Sequence, residues 1–214
     1  MNNFCNKTCG ICNEINGLSC IKGYDKIVSE KNNVIAENER FLVIPSVGPL
    51  NNSHVMLVPR YHVNSFAAIN NDIKEEFHSI LYKINEFIIG KTNKSLIFFE
   101  SGAGEKIDHS GGCIFHAHIH CVYYTQEFET ALNKEIEFNK IANQFLDYDT
   151  QNGYVWYMNN KYEEFLCNKP FLPSQFLRYL YANSNSIHGN WNWRRENNIN
   201  GVLNVIDNYK GFYI

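Results

Sequence analysis

The stretch that decides the fold runs from Cys113 to Tyr124 and reads CIFHAHIHCVYY. Its three histidines, His116, His118 and His120, alternate with apolar residues. On an extended strand alternate side chains share one face, so we expect a long strand that carries three imidazoles about 7 Å apart. The apolar residues between them would then face the core.

Such a cluster of imidazoles suits phosphoryl chemistry. A neutral imidazole is a good nucleophile near pH 7, and its neighbours can orient it, donate to phosphate oxygens or protonate a leaving group. A glycine-rich loop with Ser110, Gly111 and Gly112 precedes the strand, and its backbone N–H groups can approach a phosphate. By contrast, His78 and His188 are isolated, and we interpret them as ordinary hydrogen-bonded residues.

The sequence before the cluster predicts three strands, a helix and a fourth strand. The segments VIA, FLVI and HVMLV alternate with turn residues and predict an antiparallel meander. The segment SLIFFE predicts the fourth strand. Between them, apolar residues recur at spacings of three and four, as an amphipathic helix requires; these are Ile73, Phe77, Ile80, Leu81, Ile84, Phe87 and Ile88.

After Thr125 the pattern changes. We predict a helix from Glu127 to about Phe145, a hairpin around GYVWYMNNKYEEFL and a short helix begun by LPSQFLRYLYA. An aromatic tail containing WNWRR follows. No internal repeat is visible.

The bulk properties predict one compact cytoplasmic unit. The chain has 214 residues, of which 44% are hydrophobic, enough for one well-packed core. A net charge of -3 gives it no general attraction for nucleic acid or an anionic membrane. Neither a signal peptide nor an apolar run of about 18 residues is visible. Three of seven cysteines, Cys5, Cys9 and Cys12, lie in the first dozen residues, which favours reduced thiols or a metal site over a disulfide framework.

The segment HAHIHCV has the histidine-apolar alternation that defines the histidine-triad (HIT) superfamily, and the chain resembles that superfamily over roughly residues 33–124. The upstream stretch ENERFLVIPSVGPLNNSHVMLVPRYHVNSF is similar to the strand-turn-strand segment of the same proteins. The resemblance is to a bacterial-type HIT domain protein with a C-terminal extension. It implies an α+β fold, with helices packed on an antiparallel sheet and a small C-terminal α/β appendage. We therefore expect a HIT domain in residues 1–125 and an extension packed on the same unit in residues 126–214.

The resemblance also assigns roles to the histidines. It implies that His118 attacks the α-phosphorus and becomes nucleotidylated, and that His120 orients it or contacts the phosphate. His116 matches the first triad histidine, and His54 matches an upstream histidine near the leaving group.

Other positions match the substrate-binding residues of these proteins. Ile44 and Ser46 fall at the edge of the base and ribose pocket, although Ser46 stands where many members have Asp or Asn. Gly111, Gly112 and Cys113 fall at the phosphate loop, and the last two stand where a glutamine and a serine are common. These departures leave the substrate open.

A zinc site is the expected cofactor site, and no organic cofactor is expected. Cys9-Gly-Ile-Cys12 has a spacing that lets two thiolates bind one Zn²⁺, which needs two more ligands. The resemblance supplies His62 and His116, and such a closed site would be structural. Cys5 and Cys20 are alternative ligands, and reduced, unliganded cysteines are the other interpretation.

The C-terminal stretch LPSQFLRYLYANSNSIHGNWNWRR resembles a tail found in a subset of bacterial HIT proteins, and two interpretations remain open. In one, Gln175 and Arg178 reach the phosphate cleft, and Arg194 or Arg195 adds charge. In the other, which we favour, the apolar residues of this stretch close the fold; these are Phe176, Leu177, Leu180, Trp191 and Trp193.

We therefore expect a hydrolase that cleaves a dinucleoside polyphosphate, a nucleoside phosphoramidate or a nucleotidylated small molecule through a nucleotidyl-histidine. The alternatives are a nucleotidyltransferase with a non-water acceptor and a non-catalytic nucleotide-binding module. Removal of adenylate from a DNA end is disfavoured by the acidic charge balance. The expected partner is a nucleotide, without membrane or nucleic acid, and a homodimer is possible.

Overall fold

The computed structural model describes residues 9–105, 115–141, 148–187, 189, 191–195 and 197–214. Within this part of the chain, eight strands form one antiparallel sheet in the order β1-β2-β3-β5-β4-β7-β8-β6. The strands are β1 (Ala36–Glu37), β2 (Phe41–Pro45), β3 (Val55–Pro59), β4 (Leu96–Gly102), β5 (Ile119–Tyr123), β6 (Asn139–Lys140), β7 (Tyr154–Met158) and β8 (Glu164–Asn168). The predicted α+β fold with an antiparallel sheet is confirmed.

Six helices accompany the sheet in the described residues. They are α1 (Gly10–Ile15), α2 (Tyr24–Ser29), α3 (Asn71–Thr92), α4 (Gln126–Glu135), α5 (Phe176–Ser184) and α6 (Ile199–Asn208), and a 3-10 turn covers Phe66–Ala68. The predicted amphipathic helix is α3, which continues through Gly90 and ends at Asn93 in a left-handed conformation (φ 57°). None of the described helices has both the length and the apolar character that a membrane span requires.

Both faces of the sheet are covered. Phe98, Ile119 and Cys121 belong to a core with apolar residues of α3 and α6, whereas Phe99 and Val122 belong to a core with those of α4 and α5. Because each side chain of β2 and β3 is buried, those strands are continuous apolar runs without the alternation of a half-exposed sheet. The cleft described below opens on the face that carries α5.

The triad strand is shorter than predicted. β5 begins at Ile119, so only His120 of the three histidines lies on it, and the expectation of one long strand was wrong. The last pair between β3 and β5 joins Leu57 to Ile119, and Ala117 N–H instead donates to the carbonyl of Val63 (2.7 Å). The chain before Ile119 therefore takes its hydrogen bonds from a loop, and a loop does not impose strict alternation.

The predicted helix from Glu127 to about Phe145 was also too long. α4 ends at Glu135 because Ile136 adopts an extended conformation (φ -134°, ψ 129°) and buries its side chain. The chain then pairs with β8 through β6. A strand partner from a later part of the chain thus overrides the local helical pattern.

The predicted hairpin is confirmed as β7 and β8, which pair antiparallel. β7 also pairs with β4, so residues 126–214 continue the sheet that the earlier strands begin. The proposed boundary near residue 125 therefore falls within a continuous sheet.

Candidate active site and metal centre

Two buried histidines form a hydrogen-bonded pair beneath a cleft. His54 directly precedes β3, and His120 lies on β5, the strand paired with β3. His54 Nε2 is 2.9 Å from His120 Nδ1. Leu50 N–H donates to His54 Nδ1 (3.0 Å), which must therefore be the unprotonated nitrogen. We assign the proton to His54 Nε2, which donates to His120 and leaves the His120 proton on Nε2. His120 thus presents an N–H on the side of its ring away from His54.

His118 has the opposite tautomer from His120, with its proton on Nδ1 and its lone pair on Nε2. Its Nδ1 lies 2.7 Å from the carbonyl oxygen of His116. Since a carbonyl can only accept, Nδ1 carries the proton and Nε2 keeps its lone pair. The rings of His118 and His120 meet edge to face, with centroids 4.9 Å apart. His118 is half-buried and held by the backbone, and no hydrogen bond from a described residue occupies its Nε2.

The environment keeps these imidazoles neutral. Burial lowers the pKa of His118, against its hydrogen bond to His116, and the nearby charge of Arg178 lowers it further. Burial also holds the pKa values of His54 and His120 well below the usual range, with smaller contributions from Arg178 and His118. Neutral imidazoles are the forms that act as nucleophile and oriented donor.

Arg178 brings the α5 segment to this centre. It is almost fully buried and donates to Ser46 Oγ (3.0 Å), to the carbonyl of Trp191 (2.8 Å) and to the carbonyl of Gly48. Its charge is close enough to His54, His118 and His120 to lower the pKa of each. A guanidinium in this position can stabilise a phosphate group beside His118.

A cavity of about 640 Å³ opens above the histidines. One part of its wall consists of His118, His120 and Arg178, and a second part is α1. The third part comes from the C-terminal stretch: Leu172, Pro173, residues 175–177, Trp193 and Arg194. Its volume is in the range of roughly 300–1,000 Å³ of small-molecule pockets. The cleft can therefore hold a ligand of nucleotide size against His118.

A second cluster lies beside the cleft and consists of possible metal ligands. One ligand atom from each of Cys9, Cys12, His62 and His116 lies within 4.8 Å of the others. Cys12 Sγ is 3.4 Å from both His62 Nδ1 and His116 Nδ1, and Cys9 Sγ is 3.6 Å from His116 Nδ1. These are the four residues that the resemblance implied, and they can hold a metal ion. Cys20 is exposed and is not part of this group.

The donor set fits tetrahedral zinc. Bond lengths of about 2.3 Å to sulfur and 2.05 Å to nitrogen would separate the two ligand atoms by about 3.5 Å, close to the observed distances. His116 Nε2 lies 2.8 Å from the carbonyl oxygen of Pro59, so it carries the proton and Nδ1 keeps a lone pair towards the thiols. Burial lowers the pKa of His116 to about 4, which also favours the neutral, ligating form.

The other predicted residues have mixed positions. Ser46 lines the cavity, whereas Ile44 is buried in a cluster with Cys9 and Cys12. Gln175 also lines the cavity; its amide N–H donates to Asn192 Oδ1 (3.0 Å), and among described residues none donates to its buried Oε1. Gly111, Gly112, Cys113 and Ser110, together with Cys5 and His188, lie outside the described residues.

The structure also places His54, the two arginines after Trp193 and helix α5 of the C-terminal stretch. His54 is completely buried and hydrogen-bonded to His120, and it is not among the residues that line the cavity. Arg194 and Arg195 are both exposed, but only Arg194 lines the cavity, beside Trp193, whose ring it covers at 5.4 Å. Leu177 and Leu180 are core residues, as the packing interpretation expects, whereas Arg178 between them lines the cavity.

Sequence reasoning missed Glu14. It lies on α1, lines the cavity and accepts a hydrogen bond from Tyr24 Oη (3.0 Å). Burial raises its pKa to about 7, and the hydrogen bond from Tyr24 opposes that shift. A single glutamate in a short helix has no sequence signature, so only the fold reveals its position.

A family model described as "Protein similar to CwfJ C-terminal" matches residues 12–138, more than half of the chain. This range includes Cys12, His54, His62 and the whole histidine triad. None of the curated proteins matches the chain.

Several solved structures resemble it. A HIT family protein from Bacillus anthracis is 22% identical, with a TM-score of 0.43, over 56% of this chain and 76% of that one. A HIT family member from Bacillus subtilis is 20% identical, with a TM-score of 0.42, over 56% and 75%. A hypothetical histidine triad nucleotide-binding protein from Sulfolobus tokodaii is 18% identical, with a TM-score of 0.39, over 47% and 67%.

Proposed function

The chain belongs to the family of proteins similar to the CwfJ C-terminal region, a HIT-like domain family, and from this premise we propose that it cleaves nucleoside 5′-phosphate derivatives through a nucleotidyl intermediate on His118. The observation that carries the proposal is the orientation of His118. Its Nδ1–H is tied to the His116 carbonyl, so the lone pair of Nε2 is available at the wall of the cavity. This is the arrangement that a covalent nucleophile needs.

The first step forms one bond and breaks another. The Nε2 lone pair attacks the α-phosphorus, and the bond from phosphorus to the leaving group breaks with its electron pair on the leaving group. His120, whose ring lies against that of His118, donates its Nε2–H to the phosphoryl oxygens or to the leaving atom and stabilises the negative charge that develops there. His54 acts through His120 as a positioning residue, because it is buried and holds the tautomer of His120.

The second step releases the nucleotide. Water attacks the phosphorus, the bond to His118 Nε2 breaks, and the electron pair returns to the imidazole. Arg178 supports both steps by offering a fixed guanidinium to the phosphate, and its contacts to Ser46 and to two backbone carbonyls hold it in place.

We assign Zn²⁺ to Cys9, Cys12, His62 and His116 as a structural ion. Bound there, it would crosslink α1, the loop after β3 and the residue two positions before the nucleophile. The four protein ligands complete a tetrahedron and leave no position for substrate. The site would therefore stabilise the cleft without taking part in the reaction.

Intact-protein mass spectrometry tests the proposal. The protein is quenched without acid after brief mixing with a panel of dinucleoside polyphosphates, nucleoside phosphoramidates and nucleotide sugars. We expect an adduct of nucleotide mass on the wild type and none on His118→Ala. His78→Ala is the matched control, because it removes a histidine from α3 on the opposite face of the sheet and should keep the adduct.

The outcomes separate the possible activities. An adduct that decays in water identifies a hydrolase, whereas product that forms only with an added alcohol, amine or phosphate acceptor identifies a transferase. An adduct on His118→Ala, or nucleotide binding without adduct and turnover across the panel, would overturn covalent catalysis. Saturable binding without turnover would instead indicate a nucleotide-binding module.

A further inference from the structure

The carboxyl group of Glu14 is fixed at the wall of the cavity. Tyr24 Oη donates to Glu14 Oε2 (3.0 Å), and the amide of Asn33 hydrogen-bonds to Tyr24 in turn. Tyr24 and Asn33 are both buried, so this chain of hydrogen bonds is anchored in the core. Among the described residues Tyr24 is the one donor to this carboxyl group, so its other lone pairs are available to a ligand in the cavity.

A series of contacts connects Arg178, at the phosphate end of the cavity, with Glu14. Arg178 donates to Ser46 Oγ, and the next residue, Val47, shares an apolar cluster with Tyr24. Tyr24 in turn holds Glu14. Ser46, Val47 and Glu14 all line the cavity, so a ligand that places its phosphate at Arg178 extends past Ser46 towards Glu14.

The two ends of this path differ in charge. Arg178, His118 and His120 offer a cation and N–H donors, which suit a phosphate, whereas a carboxyl group repels a phosphate and accepts N–H donors. Apolar side chains line the same cavity and can contact the faces of a planar ring; they are Ile11, Leu18, Ile21, Val47 and Met56. This is the environment of a nucleobase whose edge carries N–H groups.

We propose that Glu14 selects guanine, so that the substrate class is guanosine 5′-phosphate derivatives. Guanine places two donors side by side, N1–H and the N2 amino group, and both can donate to one carboxyl group. Adenine and cytosine place a ring acceptor beside their amino group, and uracil flanks N3–H with two carbonyls, so each would face the carboxylate form of Glu14 with at least one repulsive pair. The inference rests on the proposed nucleotide chemistry and adds its base specificity.

Asn13 extends the same recognition. It precedes Glu14 on α1 and also lines the cavity. Its side-chain amide is a donor for the O6 carbonyl of guanine, a group that the carboxyl of Glu14 cannot bind. The pair Asn13-Glu14 therefore offers a donor and an acceptor to the edge of one base.

Isothermal titration of the wild type with GMP, IMP, AMP and UMP, at about pH 8.5 so that Glu14 is in its carboxylate form, tests the proposal. We expect GMP to bind about 10- to 100-fold more tightly than AMP or UMP, the usual discrimination of a bidentate contact to a base edge. IMP lacks the N2 amino group and should fall between GMP and AMP. Equal affinities for GMP, IMP and AMP would overturn the proposal without any variant.

Two variants that replace a glutamate by the uncharged glutamine test whether Glu14 is the residue that selects the base. Glu14→Gln should lose most of the preference for GMP over AMP and keep the AMP affinity, which also shows that the cleft is folded. Glu105→Gln is the matched control, since Glu105 lines the same cavity but is exposed and bonded to Gln151 (2.8 Å). It should keep the wild-type preference. A preference that survives in Glu14→Gln, or disappears in Glu105→Gln, contradicts the assignment.

Failure of this inference can be distinguished from failure of the proposed function. If nucleotides bind and form the adduct on His118 without a preference for guanine, only the specificity assigned to Glu14 is wrong. If the wild type binds no mononucleotide, the nucleotide chemistry itself is wrong, and the base preference is overturned with it. If Glu14→Gln does not fold, the order of GMP, IMP and AMP on the wild type decides.

Discussion

The metal centre and the cleft use histidines that stand two residues apart, and they use them in opposite ways. His116 ties Nε2 to the carbonyl of Pro59 and turns Nδ1 towards two thiols. His118 ties Nδ1 to the carbonyl of His116 and keeps Nε2 for the cleft. In each case a backbone carbonyl accepts a hydrogen bond from one ring N–H, and this bond decides which nitrogen keeps its lone pair. The comparison teaches that the role of an imidazole here depends on its backbone partner.

The same rule extends to the buried pair. Leu50 N–H occupies Nδ1 of His54, and this bond sets the proton position first in His54 and then in His120. The cleft therefore contains one imidazole with a free lone pair and one with a free N–H. In the metal centre, His116 keeps the lone pair of Nδ1 towards the thiols. Changes in one region should leave the other intact, and the following predictions test that separation.

The largest effect is expected at the nucleophile. His118→Ala should lower kcat by a factor on the order of 10⁵ or more, as loss of other covalent nucleophiles does. Because the alanine retains the backbone carbonyls and the four metal ligands, bound zinc and the melting temperature should stay near wild-type values. Steady-state kinetics, metal analysis and thermal unfolding measure the three quantities. Near-wild-type turnover would refute the role of His118.

The next effect is expected at the metal centre. Cys12→Ser should lose the metal and lower stability, by roughly 4 kcal/mol when free zinc stands a thousandfold above its dissociation constant. Activity per folded molecule should fall much less than in His118→Ala. Cys20→Ser is the control, because Cys20 is exposed and outside the cluster. Equal metal content in Cys12→Ser and Cys20→Ser would show that Cys12 is not a ligand.

A smaller effect is expected at the phosphate end of the cleft. Arg178→Lys keeps the charge but loses the planar fork that binds Ser46 and the carbonyls around it. We expect kcat/KM to fall by about 10²- to 10³-fold, the usual cost of losing a donor to a transition-state oxygen. Metal content should not change. Arg195→Lys, on an exposed arginine, serves as the comparison, and equal kinetics in both variants would remove Arg178 from the site.

The smallest effect is expected outside both regions, on the opposite face of the sheet from His120. Glu100 on β4 accepts hydrogen bonds from Phe66 N–H (2.9 Å) and from Tyr154 Oη, and burial raises its pKa to about 7 despite those bonds. The folded protein therefore holds a proton that the unfolded chain releases above its pKa of about 4.5. Stability from this group is complete below that pH and is lost as pH rises towards 7.

Urea unfolding of the wild type and Glu100→Gln between pH 5 and pH 8 checks this sign. The wild type should lose on the order of 2–3 kcal/mol more stability than the variant across that range. Tyr148 and Tyr154 lie near Glu100, but their pKa values are raised above the range and they stay neutral. A wild-type curve parallel to that of Glu100→Gln would contradict the prediction, and kcat should be the same for both.

Local pattern was sufficient for much of the fold and for part of the site. Short apolar segments between turn residues predicted β2, β3, β4 and the β7–β8 hairpin, and three-four spacing predicted α3, because these patterns follow from the geometry of a single strand or helix. The resemblance led to the four residues that the structure brings together as a metal cluster. The end of α4 and the start of β5 could not be predicted, since strand partners distant in sequence decide both.

The sequence by itself thus determined which residue types carry the chemistry and on which kind of element most of them stand. Only the tertiary structure decided which nitrogen of each histidine is free, that His54 lies behind His120, and that Arg178 and Glu14 face the same cavity. The physical reason is the distance along the chain between the groups that decide each feature. Periodicity depends on neighbours in the chain, whereas a proton position or a cavity wall depends on groups that folding brings together, such as the Pro59 carbonyl at His116.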